Sequence, residues 1–127
     1  MKAVPSYCKI LTLGSSMTEN ALVGEVILQE KIDGSLFAFG RGENNEIFAR
    51  SKGVQQHFDA PDKMFTTAIK YVQSIEKKLK DFQGLGKEFF FYCEFLNKPK
   101  HNVLAYDHYP KNHLVLFDAM ADGRWLA

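Results

Sequence analysis

Several features that would assign this 127-residue chain to a specialised class are missing from it. There are only two cysteines, Cys8 and Cys93, and their spacing fits neither a zinc pattern nor a disulfide framework. Both stand beside apolar residues, so two buried free thiols are expected, as suits a reducing compartment. No run approaches the roughly 20 apolar residues that span a bilayer. The N-terminal stretch MKAVPSYCKILTLG has an early lysine, Lys2, but no long apolar segment of the signal-peptide kind. A cytoplasmic protein with no membrane partner is therefore expected. Charge of one sign is also lacking: 16 Lys and Arg face 15 Asp and Glu, for a net charge of +1. No global positive field announces a nucleic-acid binder, so any polyanion site has to be a local patch. His57, His101, His108 and His113 fall in no zinc spacing, and no metal-ligating residue is expected. There is no internal repeat and no low-complexity linker. The length suits one domain, residues 1–127, with one core.

What is abundant is phenylalanine, with 11 residues, which suggests several buried strands. Residues 25–32, EVILQEKI, have the composition of a strand. Asp33-Gly34 is a turn signal, and residues 35–40, SLFAFG, read as a second strand. Arg41-Gly42-Glu43-Asn44-Asn45 is a turn cluster before a third strand at 46–51, which makes a hairpin. Over residues 61–82, Phe65, Ala68, Ile69, Val72, Ile75, Leu79 and Phe82 recur at three- and four-residue steps and predict one long helix. Pro61 and Asp62 suit its start. Lys77, Lys78 and Lys80 suit its end, where the helix dipole favours cations, and Gly84 and Gly86 suit its exit. Strands follow at 87–96, KEFFFYCEFL, and 113–119, HLVLFDA, separated by a polar connection with two prolines. About six strands and one long helix without βαβ alternation predict an α+β domain with a largely antiparallel or mixed sheet. The chain stops at RWLA without a closing element, so the domain is expected to be C-terminally incomplete.

The segment Glu30-Lys31-Ile32-Asp33-Gly34-Ser35 carries the chemistry. A lysine at a strand end is held stiffly, and the turn after it opens the amine to a cleft. Asp33, two residues on, falls on the same side. At an ordinary pKa of about 10.4, roughly one lysine in a few thousand is a free amine at pH 7. A site that uses the amine as nucleophile must lower that pKa by desolvation or neighbouring positive charge. Attack on an α-phosphate would then give a phosphoramidate. On this tetrapeptide alone, a solvated lysine beside an ordinary hairpin turn explains the pattern as readily.

Three further segments alter that balance. EKIDGS resembles motif I, K-x-D-G, of the covalent nucleotidyltransferase superfamily of DNA ligases, RNA ligases and mRNA capping enzymes. IFARSKG resembles motif Ia, FFFYCEFL motif III and HLVLFDA motif IIIa, in the superfamily's order over residues 25–119. E-K-I-D-G-S with R-S-K and C-E-F-L most resembles the ATP-dependent RNA ligase branch, and KPKHNVLAYDHYPKNHLVLFDA resembles viral and bacterial RNA ligases. The resemblance implies part of a DNA/RNA ligase-like, ATP-grasp-like nucleotidyltransferase domain, and it suits a virus-encoded protein acting in the host cytoplasm as well as a cellular one.

It also implies roles. Lys31 would attack ATP and hold AMP, and Glu30 would help define the adenine pocket. Asp33, in the turn with Gly34, would hold the lysine or the ribose side. Arg50 would contact the ribose or an RNA end, Glu94 would accept from a ribose hydroxyl, and Phe117 would stack on adenine. The expected cofactors are ATP and Mg²⁺, and the partner is RNA with 5′-phosphate and 3′-hydroxyl ends. Lys52, Lys98, Lys100 and Lys111 are candidate phosphate contacts. Leu36 stands where some DNA ligases and capping enzymes carry arginine, which disfavours DNA ligase. Motifs IV and V, expected after residue 119, are not in this sequence. A missing C-terminal segment or a second chain would supply them, and this polypeptide alone is expected to adenylylate weakly or not at all. The alternatives are a DNA ligase or capping-type enzyme, and a non-catalytic nucleotide- or RNA-binding fragment.

Overall fold

The computed structural model describes residues 4–126, so Lys2 lies outside the described residues. The fold is α+β. Its six strands are β1 (Ser35–Arg41), β2 (Ile47–Ser51), β3 (Gln55–Gln56), β4 (Phe89–Phe95), β5 (Leu114–Ala121) and β6 (Arg124–Trp125). They form one sheet in the order β3-β2-β1-β4-β5-β6, and every neighbouring pair is antiparallel.

Alternation along β1 and β4 divides the sheet into two faces. Phe37 and Phe39 of β1, with Phe89, Cys93 and Phe95 of β4, meet Phe65, Ala68, Ile69, Val72 and Leu79 from the helical segment. Each fully buried side chain of this size contributes roughly 1.5–3 kcal/mol. Ala38, Phe90 and Tyr92 point the other way and pack with Val4, Tyr7, Leu36, Phe48, Phe117 and Met120. The N-terminal residues thus cover part of the second face. The Tyr92 hydroxyl donates to the Pro5 carbonyl (2.7 Å), and the Arg50 and Gln55 side chains donate to the Val4 carbonyl.

The long helix is two. A 3-10 turn, Lys63–Phe65, leads into α1 (Thr66–Ser74), and α2 (Glu76–Asp81) follows after a break at Ile75. Asp62 caps the start by accepting from the Met64 N–H. At the break, Ile75 has left helical geometry and the Ser74 hydroxyl donates back to the Tyr71 carbonyl. The apolar stripe survives the break, except that Phe82 lies beyond α2 and is 48% exposed.

Lys78 and Lys80 do occupy the last turn of α2, but the cation that meets its end carbonyls comes from outside the helix. Arg41, expected in an exposed turn, is the last residue of β1 and is buried. Its guanidinium donates to the carbonyls of Leu79, Lys80, Phe82, Gly86 and Lys87 and lies over the Phe89 ring. It therefore satisfies orphan carbonyls of the helix end with a charge the dipole favours. Lys77 and Lys80 instead pair with Asp81 and Glu76 on the surface.

The expected strand at 25–32 does not form. The run has no ladder partner among the described residues, and β1, the strand that follows it, pairs with β2 and β4 instead. Ile27 and Leu28 stand 83% and 85% exposed. The cysteines also divide. Cys93 is buried and its thiol is pushed up to about 12 by desolvation. Cys8 is exposed, because the N-terminal segment covers the sheet with Val4 and Tyr7 and leaves position 8 outside.

Candidate active site

Beside the N-terminal segment, the second face of the sheet opens into a cleft with two adjoining lobes of about 890 Å³ and 520 Å³. Volumes of this order suit a small-molecule ligand. Tyr7, Ile10, Lys31, Glu94 and Phe117 line both lobes. Gly34, Leu36, Lys9 and Lys52 belong to the larger lobe, and Glu30 to the smaller. Lys9, Lys31 and Lys52 give the larger lobe three cations against the two carboxylates of Asp62 and Glu94.

Lys31 is exposed at the cleft, on irregular chain just before the turn rather than at the end of a strand. Its charge acts on the carboxylates of both Asp33 and Glu94. Glu94 comes from β4, opposite Leu36 of β1 and Val115 of β5. Its Oε2 is buried and has no hydrogen-bond partner among the described residues. Desolvation raises its pKa, Lys31 and the Gly34 N–H draw it partly back, and the Asp33 charge adds to the rise. Gly34 is demanded by close approach, since a Cβ there would sit 2.4 Å from the Phe95 carbonyl oxygen and 3.2 Å from Glu94 Oε2.

Phe117 reaches the cleft through a β-bulge. Leu116 pairs with Cys93 and Asp118 with Tyr92, so Phe117 is the extra residue in β5. Two consecutive side chains consequently meet the same tyrosine. Phe117 packs edge-on against the Tyr7 ring (5.1 Å between centroids), and Asp118 accepts from the Tyr7 hydroxyl (2.8 Å). Burial and that carboxylate push the Tyr7 phenol up to about 12.

Two expected site residues are held elsewhere. Arg50 directs its guanidinium to the carbonyls of Val4, Ser51 and Lys52 and does not line the cleft, although its neighbours Ser51, Lys52 and Gly53 do. Asp33 turns its carboxylate to the polar connection after β4, accepting from the N–H groups of Val103 and Leu104 (both 2.8 Å) and from Asn102 Nδ2. Those backbone donors hold its pKa below the ordinary value. Tyr7 and Lys9 were not legible as cleft residues, because their segment carries no periodic pattern.

The cleft joins Lys31, Gly34, Glu94 and Phe117, from the segments resembling motifs I, III and IIIa, around one space. A family model described as RNA ligase matches residues 24–127, most of the chain. The chain belongs to the RNA ligase family. No curated protein and no solved structure matches. The family match spans every residue of the cleft except those of the N-terminal segment, so in this RNA ligase family chain Tyr7, Lys9 and Ile10 are added to the site from outside the matched region. No helix among the described residues is long and apolar enough to cross a membrane.

Proposed function

We propose that the cleft is the nucleotidyl-transfer site of an ATP-dependent RNA ligase within a nucleotidyltransferase-type domain, with Lys31 as the residue that becomes adenylylated. The observation that carries this reading is Glu94, whose Oε2 is buried and orphaned and which lines a cleft shared with an exposed lysine and an aromatic ring. A buried acceptor without a donor costs roughly 1–3 kcal/mol. A ligand hydroxyl would offset that cost by donating to it.

In the first step the Lys31 amine attacks the α-phosphorus of ATP. A P–N bond forms, the bond to the β-phosphate oxygen breaks, pyrophosphate leaves, and the amine loses a proton. The AMP then passes to an RNA 5′-phosphate, which frees the lysine. An RNA 3′-hydroxyl finally attacks that activated phosphate and AMP departs. Glu94 holds the ribose by a hydroxyl, Phe117 and Tyr7 offer aromatic surface to the base, and Lys9 and Lys52 stand where phosphate charge would fall. Glu30 lines the smaller lobe and would border the base. Among the described residues no group of three His, Cys, Asp or Glu could hold a metal ion. Mg²⁺ would enter with ATP and would offset the phosphate charge.

Intact mass after incubation with ATP and Mg²⁺ tests the reading. A gain of one AMP is expected, and Lys31→Ala should abolish it without loss of fold, because the side chain is exposed. ATP-induced thermal stabilisation with no mass gain would favour a non-catalytic binding module instead. GTP in place of ATP in the adduct would favour capping-type chemistry.

A further inference from the structure

The connection between β4 and β5 is more than a linker. Residues 97–106 form a small self-braced hairpin, in which Lys100 bridges Ala105 and the Tyr106 N–H donates to the Pro99 carbonyl (2.9 Å). His101 Nδ1 accepts from the Asn97 N–H (3.1 Å), which leaves Nε2 to face the Ser35 hydroxyl at 2.8 Å. The hairpin docks on the turn after Lys31 at every residue of that turn. The Asp33 N–H donates to the Tyr106 hydroxyl (2.8 Å), and the Asp33 carboxylate accepts from Val103 and Leu104. Asn102 Nδ2 donates to the Gly34 carbonyl (2.7 Å), and Ser35 meets His101. Lys31 itself has no strand to hold it, since residues 25–31 are irregular and exposed.

From this geometry we infer that residues 97–106 are a positioning clamp for the nucleophile, with Asn102 and His101 fixing the turn that aims Lys31 into the cleft. The inference rests on the lysyl-AMP reading above. The clamp touches neither side chain that would bind the nucleotide, Glu94 or Phe117. It acts on the direction of attack rather than on ATP affinity. A misplacement of about 1 Å can cost on the order of 100-fold in rate.

Two measurements on the full chain decide it. Asn102→Ala and His101→Ala should each lower the maximal rate of AMP adduct formation by roughly 10- to 100-fold, while the ATP concentration for half-maximal rate stays within about threefold. His101→Gln, which can both accept from Asn97 and donate to Ser35, should restore most of the rate. In hydrogen exchange, Asn102→Ala should speed the amides of residues 33–35 and leave those of β4 unchanged. An unaltered rate, a rate loss matched by weaker ATP saturation, or unaltered exchange at the turn would each overturn the clamp. A wild-type chain that forms no adduct would overturn the lysyl-AMP reading, and the exchange measurement alone would then decide whether the hairpin holds the turn.

Discussion

Glu94→Gln should separate stability from function in opposite directions. In the unliganded protein the Glu94 carboxyl is half-buried, with one oxygen out of contact with solvent and without a donor. Burial raises its pKa, so ionisation is disfavoured in the folded chain. A carboxyl with a raised folded-state pKa adds its stability below the unfolded value and loses it as pH rises through the folded value. Gln removes the charge and keeps the shape. Allowing for partial exposure, it should gain about 1 kcal/mol at neutral pH, or roughly 3–6 °C in Tm for a domain of this size. The gain should shrink to nothing below about pH 4.5, where both side chains are neutral. Binding should move the other way. A hydrogen bond to a charged acceptor contributes roughly 1.5–3 kcal/mol, so ATP affinity should fall about 10- to 150-fold. Thermal melts from pH 4 to 8 and titration calorimetry with ATP measure the two effects. A variant that is less stable at neutral pH, or that binds ATP as the wild type does, would refute the assignment of Glu94 as a strained ligand acceptor.

Gly34→Ala should cost about 1–3 kcal/mol by overpacking, since its Cβ must displace the Phe95 carbonyl or move the turn. Urea denaturation reads the cost, and adduct formation should fall with the displaced turn. Arg41→Met keeps the aliphatic stem but leaves five carbonyls without their donor. Each buried carbonyl left without a donor costs roughly 1–3 kcal/mol, so a loss of at least about 3 kcal/mol is expected, visible as a lower urea midpoint. A loss under about 1 kcal/mol would show that water satisfies those carbonyls.

The central sheet was legible because its strands are built from local alternation and turn chemistry. Phe37, Phe39 and the Asn45 turn need no distant information to declare a hairpin. Helix positions were legible for the same reason, through the stripe from Phe65 to Leu79. The failures share a different cause. Residues 25–32 have strand composition, but a strand also needs a partner, and no local pattern reports that β1 pairs with β2 and β4 instead. Arg41 reads as a turn residue beside Gly42 and Glu43. Only the fold brings the end of α2 to within reach of its guanidinium. Of the candidate site, Lys31, Gly34, Glu94 and Phe117 were singled out through motif resemblance, and the fold gathers them around one cleft. Asp33 and Arg50 came from the same motifs, yet their charged ends are turned to backbone groups from the 97–106 hairpin and from Val4. Tyr7 was invisible because a single aromatic in an aperiodic segment says nothing about what it covers.

The bulge in β5 has a consequence for how this strand tolerates change. Upstream of it the odd-numbered residues Val115 and Phe117 look toward the cleft, and downstream the even-numbered Asp118 and Met120 look toward the same side. One inserted position thus switches the parity of the strand between its two halves. Deleting Phe117 would heal the bulge rather than scramble the strand, because Val115 and Asp118 would keep their face by plain alternation and only one aromatic side chain would be lost from the cleft. A deletion in either flank would instead be absorbed at the bulge, whereas an insertion would have nowhere to go without turning one half of the strand over.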